Sequence, residues 1–180
     1  MKTLSKMASV AFALSLATGT AVALAPSAGA ATANSCKVLK GTSTFNPPVF
    51  TANANRTIKS VGTVSGCAPK AKTGGTGKFT STLKTTKAGN CTSLVQGGNT
   101  LKGTARTTWK NGKVTNMSVT VKTGTGSKYN IATITGKVTS GLFKGKLVTG
   151  QVKFTPKSGN CVSTPLKSVS FVNTKPFALH

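Results

Sequence analysis

Few side chains in this sequence are able to do chemistry. Its 180 residues include 24 lysines and arginines, a single histidine and neither aspartate nor glutamate. Ser-His-Asp, paired-carboxylate, two-metal and His-Glu-x-x-His mechanisms all need residues that are missing here. A hydroxyl nucleophile activated by lysine fits the composition, but no motif selects one pair. We therefore expect no enzymatic activity, and expect His180, as a terminal residue, to be frayed rather than catalytic.

The four cysteines predict disulfides. Metal binding is not favoured, because no Cys-x-x-Cys spacing or nearby histidine supports zinc, and no cofactor is expected. Four cysteines allow three pairings. Cys91 and Cys161 share a Gly-Asn-Cys context, which favours pairing them with each other. That leaves Cys36 with Cys67, at the start and end of two strands that would be neighbours in an antiparallel meander.

The beginning of the sequence predicts export. Lys2 and Lys6 precede an apolar run over residues 7–25, and an Ala-Gly-Ala motif follows it. This pattern is typical of a secretory signal peptide, here residues 1–30, with a second cleavage site before Asn34. We expect a secreted protein, extracellular or associated with the cell wall. Its cysteines would then be in an oxidising compartment, where disulfides form. No transmembrane segment is expected in the mature chain.

The remaining residues, 31–180, predict one all-β domain. Threonine, valine and glycine dominate, and no stretch shows a helical apolar repeat. Turn residues divide the chain into about eight short strands, including a turn at Asn46-Pro47-Pro48. The expected fold is an antiparallel β-sandwich or a partly closed barrel with two disulfides and little or no helix. Because Ile131 and Ile134 would face opposite sides of a regular strand, a bulge near Ala132-Thr133 is also expected. The expected strands lie near residues 36–45, 57–66, 78–83, 99–110, 113–123, 128–139, 146–155 and 167–173.

The segment 99–123 predicts a β-hairpin. Apolar and polar residues alternate along its first half, so one face is buried and the other is wet. A two-residue loop would place Met117 and Val119 on the solvent-exposed face. A three-residue loop that ends at Gly112 puts Ala105 opposite Met117, so both lie on the apolar face. We favour the second closure. It also places Trp109 at the hairpin end on the apolar face.

These features resemble small threonine- and glycine-rich secreted β proteins of the actinobacterial type. The resemblance is based on the paired cysteine contexts, on Thr108-Trp109-Lys110-Asn111-Gly112, and on the segment 135–145. It implies an all-β fold with paired cysteines, and it implies no particular activity. The enrichment in lysine and the loss of every acid depart from the type.

The charge is the strongest functional signal. Removal of Lys2 and Lys6 with the leader leaves 22 basic side chains and no acidic one, so no side-chain salt bridge can form. We predict binding to anionic polymers such as teichoic acid, acidic polysaccharide or, without sequence specificity, nucleic acid. Lys102, Arg106 and Lys110 share one strand face, successive ones about 13 Å apart at roughly 3.3 Å per residue.

Other interpretations of the charge stay open. A solvated lysine face would suit an inert structural or surface-coat protein, and a cationic protein could act on anionic membranes as an antimicrobial. Stacking of Trp109 or Tyr129 on sugar rings is a further alternative, although buried aromatic residues are the more frequent case.

Overall fold

The computed structural model describes residues 32–180, so the predicted signal peptide lies outside the described residues. Eight antiparallel strands follow one another around a closed barrel, each bonded to its neighbours in sequence, and the last strand pairs with the first. The strands are β1 (Asn34–Val49), β2 (Thr57–Ala68), β3 (Thr76–Thr85), β4 (Thr100–Trp109), β5 (Val114–Thr123), β6 (Ile131–Gly141), β7 (Leu147–Ser158) and β8 (Leu166–Leu179).

The predicted all-β class is confirmed, and the sheet closes completely. Helix is confined, within residues 32–180, to two short segments, α1 (Lys70–Thr73) and α2 (Cys91–Gln96), and one 3₁₀ turn, Gly126–Lys128. β-branched residues fill the strands, as expected for pleated surfaces that are half buried. No helix in this described part of the chain is long and apolar enough to cross a membrane.

The hairpin of β4 and β5 has the predicted register. Ala105 lies opposite Met117 and Gly103 opposite Val119. Gly112 adopts a φ of 80°, which the loop needs and which glycine tolerates. The three-residue closure is therefore confirmed.

Two local predictions are wrong. The turn expected at Asn46-Pro47-Pro48 is absent, because β1 continues to Val49. The β1–β8 register is interrupted between Thr44 and Val49. Pro47 and Pro48 lie within this interruption, where no backbone N–H group is required for pairing with β8.

The bulge expected near Ala132-Thr133 is also absent. β6 pairs with β5 without a shift from Ala132 to Val138. The irregularity lies at Thr139, because Met117 is opposite Val138 and Asn116 is opposite Ser140. No bulge is needed because Ile131 and Ile134 do face opposite sides of β6. Ile131, the first residue of the strand, lies half buried on the outer face.

Inward-facing glycines let the sheet curve tightly enough to close. A Cβ atom at Gly41, Gly62, Gly103 or Gly136 would lie 2.1 to 2.3 Å from a carbonyl oxygen of the neighbouring strand. No side chain fits at that distance, so glycine at these positions lets adjacent backbones approach closely.

One end of the barrel, here called the closed end, is plugged by Trp109. Its side chain is 2% exposed, and its ring meets Phe143 edge to face with centroids 6.2 Å apart. The indole Nε1 donates to Thr115 Oγ1 at 2.8 Å, and that hydroxyl donates to the Leu142 carbonyl at 2.9 Å. The prediction that Trp109 belongs to the apolar face is confirmed, and stacking of its ring on a bound sugar is ruled out by its burial.

Both predicted cysteine pairs are at bonding distance. Cys36 and Cys67 form a directly opposed pair between β1 and β2 near the closed end. Cys91 and Cys161 join the beginning of α2 to the loop before β8 at the other end, here called the open end. Two disulfides are compatible with the oxidising compartment that export implies.

Candidate ligand site in the barrel lumen

A cavity of about 500 Å³ occupies the barrel between the Trp109 plug and the open end. This volume lies within the range of about 300 to 1,000 Å³ that is typical of small-molecule sites. Eight strands enclose an interior that either is filled by side chains or holds one small ligand. Its walls are mostly apolar and include Leu39, Phe45, Ile58, Phe79, Leu83, Leu101, Ala105, Met117, Val119, Val121, Ile134, Val152, Phe171 and Phe177.

The space exists because one layer of inward-facing residues is small. Ser43 pairs with Ser60, Ser60 with Ser81, and Ser81 with Ala105, so four adjacent strands carry short side chains at one level. Large apolar residues at this level would have filled the interior with side chains. We call Ser43, Ser60 and Ser81 the serine row.

The serine row is a polar part of the lumen wall, and the other polar lining residues, such as Thr85, Asn99 and Asn130, lie toward the open end. Ser43 Oγ and Ser60 Oγ are hydrogen-bonded to each other at 2.9 Å. Ser81 is 8% exposed and borders the cavity, and its hydroxyl makes no hydrogen bond to any group that the structure describes. Because this hydroxyl borders the cavity, Ser81 presents unused hydrogen-bonding capacity to it.

Arg56 organises the rim of the open end. Its guanidinium donates to the carbonyls of Ala54, Ala52 and Gly89, the first two at 2.8 and 3.1 Å, and its Nε lies 3.5 Å from the Pro48 carbonyl. These bonds connect the β1–β2 loop to the loop that follows β3. Desolvation lowers the pKa of Arg56 from its ordinary value, because burial disfavours the charged form. Most of its donors are occupied by backbone, so it is a structural group of the rim.

The repeated Asn-Cys-x-Ser sequence makes the same side-chain hydrogen bond twice, although Cys91 begins α2 and Cys161 has a positive φ in a loop. Asn90 Oδ1 accepts from the backbone N–H of Ser93 at 3.0 Å, and Asn160 Oδ1 accepts from that of Ser163 at 3.0 Å. Side-chain caps of this kind are typical of asparagine in turns. Each turn presents its cysteine toward the other, so the resulting disulfide joins two loops of the open end.

The predicted polyanion-binding residues lie outside the barrel. Lys102, Arg106 and Lys110 are all exposed, the first two on the outer face of β4 and the third just beyond its end. Lys84 of β3 lies directly opposite Lys102. Basic residues also occupy the outer faces of the other strands, including Lys40, Lys137, Lys153 and Lys175. The structure thus places Lys102 and Arg106 on one outer face and Lys110 in the turn that follows it, within a positive charge that surrounds the barrel.

The remaining polar candidates have structural surroundings. His180 is not frayed: its backbone pairs with Leu147, and its ring nitrogens lie 3.3 and 2.9 Å from the hydroxyls of Thr32 and Thr149. Tyr129 is 39% exposed at the edge of the lumen. No group of three His, Cys, Asp or Glu side chains within residues 32–180 could hold a metal ion.

The sequence interpretation missed the lumen. The available signal was the presence of serine, glycine and alanine at alternate inward positions, where a filled interior would carry large apolar residues. Comparison with known proteins adds no relative, since no family model, curated protein or solved structure matches the chain.

Proposed function

We propose that this protein is an exported, non-enzymatic binding protein that holds one small, mostly apolar molecule in the barrel lumen. The observation that carries the proposal is the cavity of about 500 Å³ with predominantly apolar walls. Transfer of apolar surface from water into such a site contributes about 25 cal/mol per Å². Closure by Trp109 at one end suits retention of one ligand in a preformed site.

A fluorescent apolar probe tests the proposal. N-phenyl-1-naphthylamine should bind the mature protein with saturable enhancement of its emission, because the lumen removes the dye from water. The Ala105→Phe variant should lose at least tenfold in affinity, because the new ring occupies the cavity. Thr104→Phe is the matched control, since Thr104 is exposed on the outer face of the same strand.

Circular dichroism should show that both variants keep the wild-type fold. Absence of saturable binding to the wild-type protein would refute the lumen as a ligand site. Equal affinity in Ala105→Phe and Thr104→Phe would place the dye elsewhere.

A second function, binding of anionic polymers through the outer face of β4, is favoured by the charge. Lys84 and Lys102 are directly opposed although like charges in such pairs are destabilising, and no acidic side chain exists to compensate them. An external polyanion would supply the missing counter-charge. Teichoic acids and acidic polysaccharides are the polymers that an exported protein of this kind would meet, and the affinity should follow charge density more than chemical identity.

A salt series on immobilised heparin, teichoic acid and DNA tests this second function. Replacement of Lys102, Arg106 and Lys110 by glutamine should weaken binding to all three polymers, because a protein with fewer cations on this face displaces fewer counterions from the polymer. For DNA, the slope of log K against log salt should fall by about 0.9 for each phosphate that is no longer neutralised. The matched control replaces Lys137, Lys153 and Lys175, which removes the same charge from other strands.

The two sets of variants separate a localised face from a general effect. An equal loss in both sets would show that the β4 face has no special role. No retention of the wild-type protein on any polymer at low salt would contradict polyanion binding altogether.

A further inference from the structure

We infer that the serine row makes the lumen selective for neutral molecules that carry a carbonyl oxygen on one edge of an apolar body. The inference rests on the proposed binding of a small molecule in the lumen. It concerns which small molecules the lumen prefers, and it assigns that choice to Ser43, Ser60 and Ser81.

The hydrogen-bond inventory of the row leads to this conclusion. Three hydroxyl groups carry three O–H donors. The Ser43–Ser60 bond uses one of them, and Ser81 makes no bond to another described residue. When Ser43 donates to Ser60, the O–H groups of Ser60 and Ser81 both remain free on adjacent strands. A carbonyl oxygen, which accepts through two lone pairs, is the complement of two such neighbouring donors.

The rest of the lumen determines where the carbonyl must lie on the ligand. Phe79 is on the closed-end side of the serine row and Leu83 is on its open-end side. Met117 and Val119 line the lumen from β5. Polar groups on those sides of a ligand would be buried without partners, which would weaken its binding. A suitable ligand therefore has its oxygen on the edge that faces the serine row and apolar surface on the sides that face these four residues.

Charge considerations favour a neutral carbonyl over a carboxylate. The basic residues at the cavity are Arg56, whose donors mostly bind backbone carbonyls, and Lys153, which alternates with inward-facing residues and is exposed. Neither lies at the level of the serine row. A carboxylate placed there would lose its hydration without gaining an opposite charge.

Two dyes of similar size provide the test. Prodan, 6-propionyl-2-(dimethylamino)naphthalene, carries a carbonyl and changes emission wavelength when that group is hydrogen-bonded, whereas N-phenyl-1-naphthylamine has no carbonyl. In the Ser43→Ala, Ser60→Ala, Ser81→Ala triple variant, Prodan affinity should fall about ten- to thirtyfold through loss of two hydrogen bonds. Emission of the bound dye should shift to shorter wavelength, while N-phenyl-1-naphthylamine should bind within about twofold of wild type, because it makes no hydrogen bond to the row.

The fold should tolerate the triple variant, because both partners of the Ser43–Ser60 bond are removed together. Ser118→Ala is the matched control, since Ser118 is exposed on the outer face of β5. Unchanged Prodan binding in the triple variant, or equal loss of both dyes, would overturn the selectivity inference while leaving lumen binding intact. If neither dye bound the wild-type protein, the proposed function itself would fall.

Discussion

Arg56 shows how a buried cation is accommodated in a chain without carboxylates. Carbonyl oxygens of the backbone surround it and supply partial negative charge in place of an acid. The planar guanidinium offers five donors in a fixed fork, so one side chain can hold several loop segments at once. Arg56 holds the rim together through the directions of its N–H donors. The ammonium group of a lysine would not reproduce those directions.

Arg56→Lys should therefore destabilise the protein by about 1 to 3 kcal/mol, because buried carbonyls at the rim lose their donors. The charge is conserved, so the loss would report hydrogen-bond geometry alone. Arg106→Lys, on the exposed outer face, is the matched control and should change the free energy of unfolding by less than about 0.5 kcal/mol. Urea unfolding of both variants measures the difference, and an equal effect would contradict the assigned role of Arg56.

At the open end, two loops that share a side-chain hydrogen bond carry the cysteine pair that the sequence indicated only by analogy. The two Asn-Cys-x-Ser turns are built by equivalent side-chain hydrogen bonds, and the cysteines follow each asparagine directly. The disulfide then joins loops that are 70 residues apart in sequence. It gives the rim a covalent link in addition to the hydrogen bonds of Arg56.

Peptide mapping without reduction should recover Cys36 with Cys67 and Cys91 with Cys161. The Cys91→Ala, Cys161→Ala double variant should lose about 4 kcal/mol of stability, since its unfolded chain regains the entropy of a long loop. Urea unfolding of the double variant and the wild type measures that loss. A peptide that joins Cys67 to Cys91 would refute the pairing, and a stability equal to that of wild type would show that the rim bridge constrains little.

Sequence patterns predicted those elements whose cause is local. The hairpin register followed from the alternation of residues 99–110 and from the demands of Asn111-Gly112, which act within a few residues. The path of β1 through Pro47 and Pro48 depends on a register break against β8, which no local pattern reveals. The lumen depends on eight strands closing around small inward residues, so its size is a property of the whole sheet.

At the scale of the whole molecule, the absence of acids leaves the surface charge without internal compensation. All 22 basic side chains of the predicted mature chain except the buried Arg56 are exposed, and Lys84 faces Lys102 directly. Repulsion between them opposes compaction, and dissolved salt screens it. A surface with balanced charge would instead lose a little attraction when salt is added.

Sodium chloride should therefore raise the melting temperature of the mature protein. The rise should be steepest below about 0.1 M, where the Debye length exceeds roughly 10 Å. Potassium chloride at equal ionic strength is the control and should give the same curve if screening is the cause. A melting temperature that is flat or falls with salt would show that the charges lie too far apart to affect stability.

The pairing of β1 with β8 closes the barrel between strands that are not neighbours in sequence, and almost the whole described chain separates Asn34 from its partner Leu179. Until those strands meet, a chain with every hairpin formed is still an open sheet. Such a sheet has two rows of unpaired backbone groups, which invite association with other chains. It also has no enclosed interior. Closure of the barrel therefore removes the sites of aggregation and encloses the cavity, so the proposed ligand site exists only in the closed barrel.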